Sequence, residues 1–531
     1  MELSGLSFIA GKRGSGSGAR FSAREAQSGA EIEPSFISAT VEELEEAAAA
    51  AEQAFTTFGK SSVEERAALL RAIAARLEGV SEELVPRAML ESGLPRPRLE
   101  GELARTCGQF RLFASVIEEG SWLNARIDTA LPDRKPLPRP DLRSMLFPLG
   151  PIAVFGASNF PLAFSVAGGD TASALAAGNP VIVKAHSAHP GTSEIVAAIL
   201  TEAISQSGMH PGVFSMLFDK GFAIGEALVK HPAICAVAFT GSVRGGRALM
   251  DLAAARKSPI PCFTEMGSVN PVFVLAGALA GDPQARAKGL YGSYTLAAGQ
   301  QCTKPGIVFL PEIDAATAFR EELRSLTGTS GSFTMLTPGI ADAYHHGLAE
   351  RHALRVDSTA AVSASSPQTH AVLFETGIAT LLENSLLQEE IFGPSTLLVN
   401  WNNREDLLAA AESLEGHLTA SIFGTEDDLI DNQELVDILE RKVGRLIFNG
   451  VPTGVEVSHA MVHGGPYPAT SDSRFTSVGT QAILRFARPR CYQNFPPSAL
   501  PEELRDENTR GIWRVVDGVF TRDSVSPRQP A

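Results

Sequence analysis

The chain has 531 residues, of which 44% are hydrophobic and 20% are charged, and its formal net charge is −15. This length predicts two or three domains, because one hydrophobic core rarely serves more than about 250 to 300 residues. The acidic balance argues against nucleic acid as a partner, since phosphate binding requires basic patches. The sequence has no apolar run long enough to span a membrane and no apolar signal segment, so we expect a cytoplasmic protein without membrane contact.

The cysteine and histidine pattern argues against a metal site. The five cysteines show no C-x-x-C spacing, which fits a reducing compartment better than a disulfide framework or a zinc site. His345 and His346, with Glu350 and His352 nearby, lack the H-E-x-x-H pattern, and a solvated helix face accounts for them. We therefore predict no metal.

The N-terminal region is expected to begin with an arm and continue as helices. Residues 1–35 are rich in glycine and serine and are predicted to form a loosely ordered arm. Capping-box patterns at Thr40 with Glu43 and at Ser62 with Glu65 predict two helix starts. This region is thus predicted to be mainly helical.

A proline-rich stretch follows at 132–140. It cannot hold a helix or a central strand, so it is predicted to be an extended connection that packs against another subunit. A strand is expected directly after it, at 144–149.

From residue 151 onward the sequence predicts two α/β units. Short apolar strands separated by helical stretches indicate parallel sheets with right-handed crossovers. The strands expected in the first unit are 152–155, 181–183, 213–217 and 237–239. Those expected in the second unit are 272–275, 306–310, 396–399, 418–423 and 446–448.

Glycines after one predicted strand indicate a nucleotide site. Ligands bind parallel sheets beyond the carboxyl ends of the strands. Gly241, Ser242 and Gly246 lie there at the start of a helix, where backbone N–H groups can meet a pyrophosphate. The usual G-x-G-x-x-G fingerprint does not occur in the sequence.

Three residues elsewhere are candidates for covalent chemistry. Cys302 lies in a polar turn after Gly299 and reads either as a presented nucleophile or as a small buried residue. Glu265 ends an apolar stretch; burial would raise its pKa toward that of a general base, and an ordinary cap or ion pair is the alternative. Asn159 follows the first predicted strand of the α/β region and supplies an amide that can hold an oxyanion.

Taken in order, Asn159, Glu265 and Cys302 resemble the catalytic residues of the aldehyde dehydrogenase superfamily. The resemblance extends over about residues 35 to 490. The segments that carry it are Asn159-Phe160-Pro161, Lys184, Phe239-Thr240-Gly241-Ser242, Glu265-Met266-Gly267, Gly299-Gln300-Gln301-Cys302 and Glu389-Glu390-Ile391-Phe392-Gly393-Pro394.

The resemblance implies an aldehyde dehydrogenase-like α/β fold with two Rossmann-like open-sheet domains and a small β oligomerisation element. The implied division gives the cofactor-binding domain residues 1–127 and 150–261, the catalytic domain 262–480, and the oligomerisation arm and C-terminal tail 128–149 and 481–531. A small-molecule aldehyde substrate and a homodimer or homotetramer are expected.

The resemblance also implies a reaction, the NAD(P)-dependent oxidation of an aldehyde to a carboxylic acid through a thiohemiacetal and a thioester on Cys302. Asn159 would stabilise the oxyanion and Glu265 would activate water. The implied cofactor residues are Lys184, Ser187, Gly225, Gly241, Ser242, Gly246, Glu390 and Phe392. Ser187 stands where NAD-preferring members often have a glutamate; the missing carboxylate removes repulsion toward a 2′-phosphate, so NADP is favoured and NAD is the alternative.

One late segment departs from the common family pattern. Many members have a Phe-Gly-Gly-Tyr-Lys type sequence where this chain has His463-Gly464-Gly465-Pro466. Together with 449–455 and 491–496, it resembles the branch that oxidises 2-oxoglutarate semialdehyde, with long-chain aldehyde dehydrogenases as the close alternative. Arg474 matches an arginine of the family that is better interpreted as structural, and the sequence places no other cation for a substrate carboxylate.

Two functions of other classes stay open on the sequence alone. A thiol esterase would use Cys302, Glu265 and an oxyanion hole without a nicotinamide. A catalytically silent binding protein would need none of these residues, and their presence argues against it.

Overall fold

The structure, a computed structural model, describes residues 2–354, 356–359 and 368–525. Residues 526–531 of the predicted tail lie outside the described residues. The strands of the described part are β1 (Phe8–Ile9), β2 (Lys12–Arg13), β3 (Arg20–Arg24), β4 (Glu31–Ile37), β5 (Arg126–Asp128), β6 (Leu142–Pro148), β7 (Ile152–Phe155), β8 (Val181–Lys184), β9 (Phe214–Leu217), β10 (Ala236–Thr240), β11 (Cys262–Glu265), β12 (Val272–Val274), β13 (Ile307–Pro311), β14 (Phe333–Thr334), β15 (Asp357–Ser358), β16 (Gln368–Thr369), β17 (Val372–Gly377), β18 (Ser395–Trp401), β19 (His417–Phe423), β20 (Val443–Phe448), β21 (Ala487–Gln493), β22 (Arg514–Val516) and β23 (Val519–Thr521).

The α-helices of the described part alternate with these strands after a helical N-terminal region. They are α1 (Val41–Phe58), α2 (Val63–Gly79), α3 (Ser81–Ser92), α4 (Arg96–Glu119), α5 (Gly169–Ala177), α6 (Pro190–Gln206), α7 (Ala223–Lys230), α8 (Val243–Ala254), α9 (Pro283–Thr295), α10 (Thr317–Gly328), α11 (Pro338–Ala353), α12 (Ile378–Glu383), α13 (Arg404–Ser413), α14 (Glu426–Asp431) and α15 (Gln433–Lys442). Both predicted capping boxes are present, at the starts of α1 and α2. Among the described helices, none combines the length and the apolarity that a membrane span requires.

The first sheet has seven strands in the order β11-β10-β7-β8-β9-β1-β2. The five strands from β11 to β9 are parallel. Helices cover both faces: Val154 and Val183 pack into one hydrophobic core, and their neighbours Ala153 and Ile182 pack into another on the opposite face. The carboxyl ends of the parallel strands β10, β7 and β8 therefore lie side by side at the same end of the sheet.

The prediction of a loosely ordered arm at 1–35 is wrong. β1 pairs antiparallel with β9, joining Phe8 to Met216, and β3 pairs with β4 as a hairpin. Phe8 and Ile9 are buried in the cores of the first sheet. β1 has only two residues, so it shows no measurable hydrophobic period, and it depends on a partner that is distant in the chain. β3 does alternate, with Phe21 and Ala23 buried, but the glycine- and serine-rich composition of the region indicated disorder.

The second sheet has seven strands in the order β15-β17-β18-β13-β12-β19-β20. It is parallel from β17 to β20, with β15 antiparallel at one edge. Every strand predicted for this unit occurs, with ends that differ by up to three residues. β20 forms the other edge of this sheet.

A third sheet of five strands has the order β21-β6-β5-β22-β23 and brings the C-terminal region against β5 and β6. The proline-rich stretch before β6 is not extended as predicted. It folds back into a loop, in which the Leu131 amide donates to the Arg139 carbonyl at 2.8 Å and the Arg139 amide donates back at 3.0 Å. The predicted fold class, two open α/β sheets and a small β element, is confirmed.

Candidate active site

The turn before Cys302 is held in place by its packing against a later segment that contains Gly393. After α9, the residues Ala297, Ala298 and Gly299 all have positive φ angles, of 52°, 57° and 64°. A Cβ atom at Gly299 would lie 2.3 Å from the carbonyl oxygen of Gly393, so only glycine fits this approach. Two left-handed alanines persist because this packing fixes the turn against the later segment.

The backbone on the other side of Cys302 is held by a buried amide. Asn270 Nδ2 donates to the carbonyl oxygens of Cys302 at 2.8 Å and of Lys304 at 3.0 Å. Thr419, on β19, donates to Asn270 Oδ1 at 2.9 Å. The thiol is therefore carried by a loop whose backbone is anchored to the second sheet.

Asn159 reaches the same loop from the first sheet. It follows β7, and its Nδ2 donates to the carbonyl of Gln300 at 3.0 Å, two residues before Cys302. The structure thus brings the predicted oxyanion donor and the predicted nucleophile together from different sheets.

Glu265 and Cys302 are joined by a histidine. Glu265 ends β11 and is buried; its Oε1 lies 2.8 Å from His463 Nε2, and its other oxygen accepts a hydrogen bond from Ser477. The same His463 Nε2 lies 3.4 Å from Cys302 Sγ. One atom from each of Glu265, Cys302 and His463 falls within 4.8 Å of the others, which makes a thiol–imidazole–carboxylate cluster.

The electrostatics of this cluster differ from the sequence-based expectation. Burial favours a higher pKa for Glu265, but His463 and hydrogen bonds from His463, Ser477 and Cys302 outweigh it, so the pKa lies below its ordinary value rather than above it. Burial, and then the negative charge of Glu265, raise the pKa of the Cys302 thiol well above its ordinary value. The resting thiol is therefore protonated and requires a proton acceptor.

His463 is the functional residue that the sequence reasoning missed. The segment around His463 is closely packed against its neighbours. A Cβ at Gly465 would lie 2.2 Å from the His417 carbonyl oxygen, and the Met266 amide, just after β11, donates to the Ala469 carbonyl at 2.8 Å. Fully buried, His463 faces Glu265. The sequence signal is the departure from a phenylalanine at this position, which the sequence alone indicates as a feature of one branch of the family and not as a residue beside the nucleophile.

We expect the Glu265→Gln variant to shift the alkylation profile of Cys302 to lower pH, because removal of a negative charge lowers the pKa of the thiol. The measurement is the rate of iodoacetamide labelling of the Cys302 peptide as a function of pH. The control is Glu226→Gln, which alters an exposed ion pair with Lys230 on α7. An unshifted or upward-shifted profile in Glu265→Gln would contradict this electrostatic account.

The residues predicted to bind the nucleotide lie near the carboxyl ends of the strands of the first sheet. Ser242 caps α8 by accepting from the Gly245 amide at 3.2 Å, and a Cβ at Gly246 would lie 2.4 Å from Met266 Sδ. Gly241 and Ser242 are exposed, so the start of α8 is open. Gly225, in the first turn of α7, packs against the ring of Phe155 at the end of β7.

Two charged residues lie near the same strand ends. Lys184 ends β8; burial lowers the pKa of its ammonium, with an opposing effect of Asp219. Glu390 lies against Gly267, and its Oε1 is buried without a hydrogen-bond partner among the described residues. Burial raises the pKa of Glu390, and the buried Lys304 partly offsets this.

The two remaining predicted residues are less constrained. Ser187, three residues after Lys184, and Phe392, two after Glu390, are both partly exposed. Glu390 Oε1 fits a hydroxyl donor such as a ribose, and the open start of α8 fits a pyrophosphate. The residues present are therefore compatible with a dinucleotide.

This arrangement defines a thiol enzyme with an adjoining nucleotide cradle. A model of the aldehyde dehydrogenase family matches residues 22–467. Alpha-ketoglutaric semialdehyde dehydrogenase 2 of Azospirillum brasilense is 46% identical over 522 residues, covering 98% of this chain and 99% of that protein. Alpha-ketoglutaric semialdehyde dehydrogenase of Acinetobacter baylyi is 46% identical over 492 residues, covering 92% and 93%. The chain belongs to the aldehyde dehydrogenase family, whose members use NAD(P).

Solved structures agree on the fold. The aldehyde dehydrogenase KauB from Pseudomonas aeruginosa superposes with a TM-score of 0.80 at 20% identity, covering 93% of this chain and 97% of that one. The NADP-dependent glyceraldehyde-3-phosphate dehydrogenase from Bacillus halodurans, complexed with NADP, gives 0.79 at 22% identity, covering 93% and 99%. At these identities the likeness establishes architecture alone.

Proposed function

We propose that this protein oxidises 2-oxoglutarate (alpha-ketoglutarate) semialdehyde to 2-oxoglutarate with NAD(P). The observation that supports this chemistry is the contact of one imidazole nitrogen, His463 Nε2, with both Cys302 and Glu265. The two relatives at 46% identity, both named for this substrate, support the choice of aldehyde.

The first step is addition of Cys302 Sγ to the aldehyde carbon. A carbon–sulfur bond forms, the carbonyl oxygen becomes an oxyanion, and the thiol proton moves to the Glu265 carboxylate, to which Cys302 is hydrogen-bonded. His463 holds this carboxylate in place, because its Nε2–H donates to Glu265 Oε1 at 2.8 Å. Asn159 Nδ2, already beside the Cys302 loop, donates to the oxyanion, a contribution of about 10² to 10³ in rate.

The second step is hydrolysis. Phe392 and Glu390 would hold a nicotinamide cofactor that, when bound, would accept the hydride leaving the substrate carbon, and a thioester would remain on Cys302. Glu265 releases the thiol proton to solvent, and water then adds to the thioester carbon and gives a proton to Glu265. The carbon–sulfur bond breaks, Cys302 leaves as a thiolate and takes this proton from Glu265, and the carboxylic acid is released.

The cofactor residues divide between the ends of the molecule's two large sheets. The open start of α8, with Gly241, Ser242 and Gly246, would hold the pyrophosphate, and Gly225 would line the adenosine path. Lys184 and Glu390 would bind ribose hydroxyls, with Phe392 beside the nicotinamide end. We accordingly assign cofactor binding to 1–127 and 150–261 and catalysis to 262–480.

NADP is proposed as the favoured cofactor, with NAD accepted, because Ser187 brings no carboxylate near the predicted ribose position. In the Ser187→Glu variant we expect kcat/KM with NADP to fall by more than about tenfold while NAD is retained, since a carboxylate repels a 2′-phosphate. Steady-state kinetics with both cofactors measure this, with Ser187→Ala as the control. Equal losses with both cofactors would place Ser187 outside the ribose pocket.

A homodimer or homotetramer is proposed from two open sheet edges. β21 is an exposed edge strand of the third sheet, and β20 is a partly exposed edge of the second sheet. Exposed edges of this kind pair with another chain unless they are covered. Light scattering after size exclusion should give at least twice the chain mass of 56.2 kDa; a monomer would contradict the proposal.

The proposed function is tested with a panel of aldehydes. For each aldehyde, the reduction of NADP or NAD is measured by absorbance. We expect 2-oxoglutarate semialdehyde to give the highest kcat/KM, above glutaraldehyde and long alkanals. A preference for long alkanals would assign the protein to the long-chain alternative. Ester hydrolysis with no cofactor reduction would replace the dehydrogenase by a thiol esterase.

A further inference from the structure

Two arginines from distant parts of the chain hold the same loop. Arg445, on β20, donates from Nη2 to the Pro452 carbonyl at 2.7 Å and from Nη1 to the Gly454 carbonyl at 3.1 Å. Arg105, on α4, donates from Nη1 to the Val455 carbonyl. The two guanidinium groups therefore converge on a loop of four residues.

Each guanidinium group has one buried nitrogen that makes no hydrogen bond to a described residue. Arg105 Nη2 and Arg445 Nε are buried and have no hydrogen-bond partner among the described residues. Neither arginine forms an ion pair with a described carboxylate. Of the two glutamates near Arg105, Glu102 is already held by Arg98 at 3.1 Å and by two backbone amides, and Glu456 is exposed.

Both arginines also lie on the Cys302 side of the fold. Arg445 is paired in register with Thr419, and Thr419 donates to the Asn270 side chain that holds the Cys302 carbonyl. The Arg105 guanidinium lies 5.7 Å from the ring of Phe164, in the segment that follows Asn159. Burial lowers the pKa of both arginines, and a negative charge on Cys302, when the thiolate forms, would oppose this in each case.

We propose that Arg105 and Arg445 bind the carboxylate of the semialdehyde substrate and so select acidic aldehydes. This rests on the proposed function and supplies the cation that the sequence did not place. One free N–H from each arginine can meet one oxygen of a carboxylate, and charge-assisted hydrogen bonds of this kind are the strong ones. On a chain with net charge −15, two cations without an ion-pair partner among the described residues attract an anionic substrate locally.

Arg474 is not the carboxylate anchor. Its Nε donates to Asp472 at 2.8 Å, and its side chain is 79% exposed to solvent.

The test compares two substrates of the same length, 2-oxoglutarate semialdehyde and uncharged pentanal. In Arg105→Met and in Arg445→Met we expect kcat/KM for the acidic substrate to fall about 10- to 100-fold, mainly through KM, with pentanal nearly unchanged. Arg105→Lys, which keeps the charge, should retain more than Arg105→Met. Arg111→Met is the matched control: Arg111 lies on α4, as Arg105 does, and the change breaks only an exposed ion pair with Glu78 of α2.

Parallel losses with both substrates would show that the arginines only support the loop, and would overturn the proposal. Calorimetric binding of 2-oxoglutarate to the Cys302→Ala protein tests the arginines without turnover: at least about tenfold weaker binding in Arg445→Met supports them, and unchanged binding overturns them. If the dicarboxylate binds through the arginines but the semialdehyde is not oxidised, the proposed function fails while the carboxylate site stands.

Discussion

Replacement of Cys302 by serine is expected to abolish aldehyde oxidation, with a loss in kcat of about 10⁴-fold or more. The reaction needs a sulfur nucleophile that can form and release a thioester, and a hydroxyl at this position is far less acidic than a thiol. The change should leave the fold intact, because the backbone of the loop is held by Asn270 and by the packing of Gly299 on Gly393. Cofactor reduction and circular dichroism measure the two expectations.

Cys262 provides the matched control for Cys302. It is a half-buried thiol on β11, three residues before Glu265, and burial raises its pKa to about 12. Cys262→Ala should therefore keep wild-type turnover and wild-type labelling of Cys302. Residual cofactor reduction by Cys302→Ser within tenfold of wild type would refute covalent catalysis at this thiol.

Replacement of His463 by phenylalanine is expected to lower kcat by about 10² to 10⁴-fold. Glu265, which accepts the thiol proton, loses the hydrogen bond from His463 that holds it in place, while the aromatic ring suits a position where many members of the family carry phenylalanine. The exposed His459, four residues earlier, gives the control variant His459→Phe. Wild-type turnover in His463→Phe would show that Glu265 serves Cys302 without the imidazole.

The pH profile of the same variant distinguishes a chemical role from a structural one. His463 is the leading group that lowers the pKa of Glu265, so its removal should raise that pKa. The acidic limb of kcat/KM, below which Glu265 is protonated, should therefore move to higher pH. Glu265→Gln combined with His463→Phe should lose little more than the stronger single variant, since the two residues act as one unit.

Local signals in the sequence predicted most of the architecture. Thr40 with Glu43 fixed the start of α1, because a capping box involves only neighbouring residues. The apolar runs that form β7 and β13 are predicted correctly because strands buried on both faces are hydrophobic throughout. β1 was missed, since it exists through its pairing with β9, about 200 residues away. The β3–β4 hairpin is local and was missed because the glycine- and serine-rich composition of the region outweighed its short strand pattern.

The sequence by itself determined the family, the fold class and the candidate residues Asn159, Glu265 and Cys302, because each of these depends on short motifs in order along the chain. Only the tertiary structure decided that His463 stands between Glu265 and Cys302, and that Arg105 and Arg445 meet at one loop. The pKa of Glu265 likewise has the opposite direction to that expected from burial alone. The physical reason is common to all three: distances, charges and hydrogen bonds between residues far apart in the chain are set by packing, and no local pattern encodes them.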